Sequence, residues 1–402
     1  MRARALIAAC VAVAVALPFS AAASAPSLRT ELAASLRGQW LSPGRTAAYA
    51  LDLRTGKVLF AHNASSALVP ASNAKLPVAW AALLHLGPEF RFRTDVFGVG
   101  SRSGRIWRGD LVVLGHGDPT LATTDLDGLA AAVRAEGITR VTGWIEADES
   151  FFDSRRGAPG WNWGFVGIES PPLSALAVDR AAGWPDAAPP LLAAKALRGA
   201  LQRQGVSVAN GVRPGRAPAG AMLLASDRSR PLAAIVREMN AHSDNYTAEL
   251  VLKALGASVG HGGTTAAGAR VVHRTLKDAG LWKPGLRIAD GSGLSSFDRL
   301  SAASLVGVIQ AALEDPRVRV PFLASLAVSG RTGTLRDRLP ELRWKVRGKT
   351  GTTNVSSSLS GVIDDSIAFA VIENGSPVAS WAARAAQDRF VTVLAGSLTR
   401  SG

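Results

Sequence analysis

Ser72-Asn73-Ala74-Lys75 sets a hydroxyl and an amine three positions apart, a spacing that brings both to one face of a helix. An amine so placed can take the serine proton without a histidine, making Ser72 a candidate nucleophile and Lys75 its base. No other serine of the chain has a lysine at that distance. Two further runs supply complementary groups. Ser243-Asp244-Asn245 offers a second hydroxyl and an amide, and Lys349-Thr350-Gly351-Thr352 a cation beside two more hydroxyls. Ser243 is read as the proton shuttle to a leaving amine, and Asn245 as the amide that holds the substrate backbone. Lys349 and Thr350 are read as a carboxylate clamp, with Gly351 letting substrate approach the backbone closely. A lysine base at neutral pH needs a pKa well below the usual ~10.4, so Lys75 must be buried or face another cation. Lys349 is the expected one.

Each run also has an ordinary reading, since Ser72 and Ser243 are both good helix N-caps. A rival to the third run, Arg331-Thr332-Gly333-Thr334, stands close by. Alternation over 343–347 leads as strand into Lys349, whereas the surroundings of Arg331 predict a turn and a short helix. A sheet edge carrying Lys349 can pair with an extended peptide by strand addition.

Helical periodicity from 76 to 86 follows Ser72, and Pro77 is tolerable only in a first turn, so a helix is expected to begin about Ser72. Strands are expected at Thr46–Asp52 and 58–61, and again at Ser356–Ile363 and 367–373. Helices are expected at 232–240, 246–255, 302–313 and 379–394. Strands at both ends of the chain around a helical middle predict one α/β sandwich built from the two termini. Residues 88–228 have another texture, with strands at 90–99 and 141–145, helices at 126–136 and 191–204, and a Pro/Gly/Trp-rich section. This stretch is read as an inserted smaller α/β domain, leaving 24–87 and 229–402 for the catalytic domain.

The first residues read as a secretory signal peptide over 1–23. Arg2 and Arg4 precede an apolar run, and small residues follow, with cleavage expected in Ala21-Ala22-Ala23. Pro18 and those small residues disfavour the rival, an uncleaved anchor. The single cysteine, Cys10, falls inside the signal, so no disulfide is expected in the exported chain. Net charge is +14, of which the signal carries +2, and the remaining +12 draws an exported protein to anionic surfaces such as a cell wall. The arginines are scattered with no aromatic-basic module, which argues against nucleic acid as partner. Six histidines include no His-Glu-x-x-His, so neither a metal nor another cofactor is expected.

Ser-x-x-Lys, Ser-x-Asn and Lys-Thr-Gly in this order are the set found in penicillin-binding proteins and class A β-lactamases. The wider context is more specific. Pro70-Ala71-Ser72-Asn73-Ala74-Lys75, the Gly115-to-Pro119 loop, Ala289-Asp290-Gly291-Ser292-Gly293-Leu294-Ser295 and Gly333-Thr334-Leu335 are each similar to elements of one family. The chain resembles the D-alanyl-D-alanine carboxypeptidase/endopeptidase family typified by penicillin-binding protein 4, over about residues 45–397. Class A β-lactamases place Ser-x-Asn much closer to the nucleophile than the 171 positions between Ser72 and Ser243.

The resemblance implies a β-lactamase/transpeptidase-like α/β sandwich, an antiparallel sheet flanked by helices. It implies a periplasmic or extracellular serine D,D-peptidase that acts on peptidoglycan stem peptides and binds β-lactams. Carboxypeptidase and endopeptidase action both fit. It places the oxyanion on the backbone N–H groups of Ser72 and Thr352. Two departures stand out. Val178-Asp179-Arg180 runs almost directly into the helix at 191–204, which implies a shortened insertion. Trp161-Asn162-Trp163 is followed by Gly164-Phe165, where some members carry a carboxylate for the substrate side chain; Glu169 is the nearest acid. The tryptophans of this stretch are expected to pack rather than to stack on sugars. The alternatives are a β-lactamase-like hydrolase, which needs a deacylating carboxylate, and a non-catalytic wall-binding scaffold, which has no use for Lys75.

Overall fold

The computed structural model describes residues 26–400, so the expected signal peptide and Cys10 lie outside the described residues. Six strands form an antiparallel sheet in the order Ala327–Val328, Val346–Thr352, Ser356–Ile363, Ile367–Asn374, Thr46–Asp52, Val58–His62. The two ends of the chain therefore meet inside the sheet, Thr46 pairing with Glu373 and Asp52 with Ile367. Every residue of Ser356–Ile363 is buried, because helices cover both faces of the sheet. Leu28–Ser35 and Ser380–Arg400 lie on one face, around Phe60, Leu359, Phe369 and Phe390. Lys75–His85, Asn245–Ser258 and Ala302–Glu314 lie on the other, around Leu76, Trp80, Leu250, Leu305 and Val362. Each such side chain contributes ~1.5–3 kcal/mol by leaving water. Among the described residues no helix is long and apolar enough to cross a membrane.

A second sheet takes all its strands from residues 93–228. Arg93–Ser103 and Ile106–Gly115 form a long hairpin, Met222–Arg228 pairs with the first of them, and short parallel strands extend the other side. Helices Thr123–Ala135 and Pro189–Arg203 close a separate core around Trp107, Leu126 and Leu197. The two ends of this stretch meet at one place, since Leu232 N donates to Phe90 O at 2.8 Å and Ala233 N to Pro88 O at 2.9 Å. The strand expected at 141–145 is broken into Arg140–Val141 and Ile145–Asp148. Asp110 is the cause: its carboxylate draws the Trp144 N–H out of the ladder at 2.6 Å.

The serine-rich strand Ser356–Ile363 shows how sheet and site are joined. Alternate side chains of a strand share a face. Ser356 and Ser358 both point to the segment before the Lys75 helix, donating to Val69 O at 2.5 Å and Pro70 O at 2.7 Å. Asn73 Nδ2 returns a bond to Ser358 Oγ at 2.5 Å. The turn so held is squeezed from two further sides. A methyl group on Gly293 would overlap the Ala71 carbonyl oxygen, and one on Gly351 would come within 2.8 Å of Ser72 N.

This tight fit can be separated from backbone preference alone. Gly293 and Gly220 share a left-handed φ of 82°, but only Gly293 has neighbours within 4 Å. Gly220→Ala is expected to cost roughly 1 kcal/mol. Gly293→Ala should cost roughly 2–5 kcal/mol, because overpacking adds to the same strain. Equal shifts in denaturation midpoint for the two variants would refute the squeeze on the Ser72 turn.

Candidate active site

Ser72 rides on a single 3-10 turn, Ala71–Ala74, and Lys75 opens the α-helix Lys75–His85. The helix expected from Ser72 therefore begins three residues later, because Ala71 has a left-handed φ of 48° and tightens the turn. Pro77 is the third α-helical residue, where its missing N–H has no helical partner to lose. Lys75 Nζ, fully buried, lies 3.0 Å from Ser72 Oγ, 2.8 Å from Asn245 Oδ1 and 2.6 Å from Ser292 O. The amide and peptide oxygens can only accept, whereas the hydroxyl can also donate. An ammonium can serve that set with three N–H groups, and a neutral amine with two N–H groups and a lone pair that accepts from the hydroxyl. Burial brings the Lys75 pKa down to about 8 against the opposing pull of Asp290 and Glu249. The sequence left two routes to that depression, burial or a cationic neighbour such as Lys349. Burial is the one that acts on Lys75, and the repulsion falls on Lys349, which burial and then Lys75 push well below its ordinary value.

Ser243 ends the helix Leu232–His242 in a left-handed conformation, φ 60°. Asp244, not Ser243, caps the next helix, accepting from Thr247 N at 3.2 Å. Asn245 is then the first residue of Asn245–Ser258, with Oδ1 on Lys75 and Nδ2 donating to Glu169 O at 2.9 Å.

The strand expected to carry Lys349 begins at Val346 rather than 343, since Trp344 adopts φ 73° in a turn. Ala327–Val328 pairs with it only at Arg347 and Gly348, so among the described strands none pairs with that edge from Lys349 to Thr352. Lys349 is fully buried and donates to Thr350 O at 2.8 Å. Thr350 Oγ1 donates to Thr334 Oγ1 at 2.8 Å, and Arg384 Nη2 donates to Thr352 Oγ1 at 3.2 Å. The rival run is divided: Arg331 stacks on the Trp344 ring at 3.5 Å, whereas Gly333 and Thr334 line the same cleft as Ser72.

That cleft, about 650 Å³, is lined by Ser72, Ser243, Asn245, Thr350, Gly351 and Thr352, with Lys75 and Lys349 buried beside them. Arg336, Arg338 and Arg384 stand on its rim. An adjoining cavity of about 290 Å³ shares Glu169, Leu294 and Thr352 with it, and Glu169 is its one charged lining residue. Trp161 helps to shape this region by donating to Asp290 Oδ2 at 2.7 Å. Trp107 packs as expected, but Trp163 is exposed.

Sequence reasoning missed a knot of buried carboxylates behind Lys75. Asp290 accepts from Gly293 N at 2.7 Å, Ser295 N at 2.8 Å, Ser292 Oγ at 3.0 Å and Trp161 Nε1. Glu249 Oε1 accepts from Gly291 N at 2.9 Å and Ser292 N at 2.8 Å, and Asp298 Oδ1 from Ala289 N at 2.6 Å. Burial, then repulsion by Asp290, pushes Glu249 up to about 8 and raises Asp298 well above the carboxylate range. A glutamate inside the apolar helix Asn245–Ser258 was the available signal. The chain also contains a Gly-x-Ser-x-Gly run over 256–260, but it closes that helix instead of following a strand and forms no nucleophile elbow. Asp118 is occupied by a local turn, accepting from Thr120 N at 2.8 Å and Thr120 Oγ1 at 2.7 Å.

Known proteins match most of the chain. The model of the D-Ala-D-Ala carboxypeptidase 3 (S13) family matches residues 28–188 and 183–396. A D-alanyl-D-alanine carboxypeptidase of Actinomadura sp. (strain R39) is 28% identical, over 90% of this chain and 83% of that protein. Carboxypeptidase DacB of Mycolicibacterium smegmatis is 30% identical, over 94% of this chain and 86% of its own. Penicillin-binding protein 4 of Haemophilus influenzae has the same fold, with a TM-score of 0.79 at 21% identity, covering 91% and 98% of the two chains. Its complex with a β-lactam superposes with a TM-score of 0.75. The chain belongs to the D-Ala-D-Ala carboxypeptidase 3 (S13) family.

Proposed function

We propose that this chain is an exported serine D,D-peptidase that opens the bond after a D-alanine of a peptidoglycan stem peptide, through an acyl-enzyme on Ser72. The observation that carries this reading is the Lys75 amine, 3.0 Å from Ser72 Oγ and otherwise facing two pure acceptors. Ser72 Oγ attacks the carbonyl between two D-residues and Lys75 takes its proton. The N–H groups of Ser72 and Thr352 hold the oxyanion, each such donor worth ~3 kcal/mol. Ser243 passes the proton to the leaving amine, Asn245 orients the acyl group, and water then releases it. Lys349 and Thr350 hold the substrate carboxylate, whose charge favours the ammonium form of Lys349. Gly351 and Thr352 lie along the free strand edge where an extended peptide can add. Glu169 is suited to a cationic substrate side chain in the adjoining cavity. Residues 88–228 are read as an inserted domain, shortened relative to the family, and residues 1–23 as the export signal. A β-lactam imitates the acylating dipeptide, so it is expected to acylate the same serine.

Labelled penicillin tests the core of this reading. Peptide mapping should find one adduct, on Ser72, and D-Ala-D-Ala muropeptides should lose one D-alanine by mass. An adduct elsewhere, or none, would end the assignment.

The base has its own signature. Only the free amine accepts a proton, so the acylation rate should climb with pH through about 8, the Lys75 value, and level off above it. Lys75→Arg should be nearly inactive, because guanidinium stays protonated. A flat profile, or an active arginine variant, would show that another group takes the proton.

The two Lys/Arg-Thr-Gly runs separate by mutation. Lys349→Ala should lose ~2–5 kcal/mol of binding, roughly 30- to 4000-fold in kcat/KM, toward a peptide with a free carboxylate. The loss should shrink for an amidated peptide. Arg331→Ala, which removes only the stack on Trp344, should stay within a few-fold of the native enzyme on both. The opposite pattern would put the carboxylate at the wrong run.

A further inference from the structure

Asp179, Arg180 and Ala181 are three consecutive non-glycine residues with left-handed backbone, φ 48°, 57° and 58°. Such a run is unfavourable for L-residues and persists only where its surroundings over-determine it. Here they do. Asp179 N donates to Leu121 O at 2.9 Å, and the Asp179 carboxylate accepts from Thr123 N at 3.1 Å and from the Thr123 hydroxyl. Val178 and Ala181 are buried on either side. The turn is thus anchored to the second sheet's core, and its strained centre aims Arg180 outward.

The guanidinium meets Asp244 as a two-pronged pair, Nη1 to Oδ2 at 2.6 Å and Nη2 to Oδ1 at 2.9 Å. It also lies over the Tyr246 ring, 4.8 Å from the centroid. Asp244 is the middle residue of Ser243-Asp244-Asn245. Its oxygens also take Thr247 N at 3.2 Å and Thr247 Oγ1 at 3.0 Å, while its N–H returns to Met239 O at 2.9 Å. Both oxygens of Asp244 are therefore shared between a helix cap and Arg180. Ser243 before it is left-handed, and Asn245 after it reaches Lys75 at 2.8 Å. A rotation of Asp244 would swing a hydroxyl and an amide together. Burial would raise the Asp244 carboxyl, yet the Arg180 pair and the Thr247 donors hold it below the ordinary range.

We propose that Arg180 is a positioning residue for Ser243 and Asn245, by which a turn anchored on the 93–228 core holds the junction of helices Leu232–His242 and Asn245–Ser258 in its working orientation. Arg180 touches no reacting atom. It acts through Asp244, and a planar two-pronged donor is needed because a point charge fixes distance but not rotation. The inference rests on the D,D-peptidase reading of the cleft.

The test uses the full exported enzyme, with kcat and KM for a D-Ala-D-Ala peptide normalised to sites titrated by penicillin. Arg180→Ala should lower kcat by ~10- to 100-fold, as misplacement of a reacting group by about an ångström does, with KM within a few-fold. Arg180→Lys, keeping the charge without the fork, should recover only part of the loss. Guanidinium ion added to Arg180→Ala should restore activity saturably, a response that mere loss of folded protein would not give. Arg180→Gln, which keeps a polar side chain without the charged fork, carries the same comparison if the alanine variant misfolds. Combined with Asp244→Asn, Arg180→Ala should add little further loss in kcat/KM, since one pair is broken either way. Variants that match the native kcat, or losses that simply multiply in the double variant, would overturn the proposal. A native enzyme that neither acylates nor hydrolyses would overturn the reading of the cleft and this inference with it.

Discussion

Taking a lysine ammonium out of water costs several kcal/mol unless partners replace the lost hydration, and Lys75 is wholly out of water. Its three partners come from three places in the chain: its own turn, the helix after residue 244, and the loop at Ser292. Each must arrive with an oxygen facing the amine. The buried carboxylates behind that loop serve this end. Asp290 and Glu249 gather backbone N–H groups from Gly291 to Ser295 and so turn the Ser292 carbonyl toward Lys75. They also oppose the loss of its charge, which keeps its pKa near 8 rather than lower still. Depth of burial and nearness of carboxylate together set how readily the Lys75 amine gives up its proton.

The same demand explains the glycines. A hydroxyl beside a buried amine must still be reachable, so the turn bearing Ser72 sits at the surface of a densely packed wedge. Gly293 and Gly351 let two backbones close on that turn where any side chain would collide. Ser356 and Ser358 tether it from beneath because strand alternation brings both hydroxyls to one face. Sheet, loop and turn are thus parts of one packing problem, and the strand edge beside Gly351 is left without a partner among the described strands.

Much of this was legible in the sequence, for physical reasons. Residues that cooperate within one helical turn or along one strand advertise themselves by spacing, as Ser72 with Lys75 and Lys349 with Thr350 do. Ser356–Ile363 and Thr46–Asp52 were found by alternation and by the turns that flank them. The misses share a different cause. Glu249, Asp298 and Arg180 matter through partners that are distant in the chain, and no local pattern encodes such meetings. The break in the strand at 141–145 depends on Asp110, more than thirty positions away. The helix Thr265–Asp278 was simply overlooked. Its cap, Thr264 accepting from Ala267 N at 3.1 Å, and its apolar face at Ala267, Val271, Val272 and Leu276 were all there to be read.

The pairing of Thr46–Asp52 with Ile367–Asn374 joins segments more than three hundred residues apart, in the middle of the larger sheet. Contacts of such separation form slowly, because the loop they close must be ordered first. A chain emerging from its N-terminus cannot complete this sheet until nearly all of it has appeared. Meanwhile Thr46–Asp52 has Val58–His62 on one side and an open ladder on the other, a bare edge of the kind that invites pairing with a second chain. During biosynthesis the molecule is thus exposed to self-association at the very strand that later becomes its interior. The cleft draws on the strand at Val346–Thr352, which is joined to Ile367–Asn374 through Ser356–Ile363, so it is completed together with that interior.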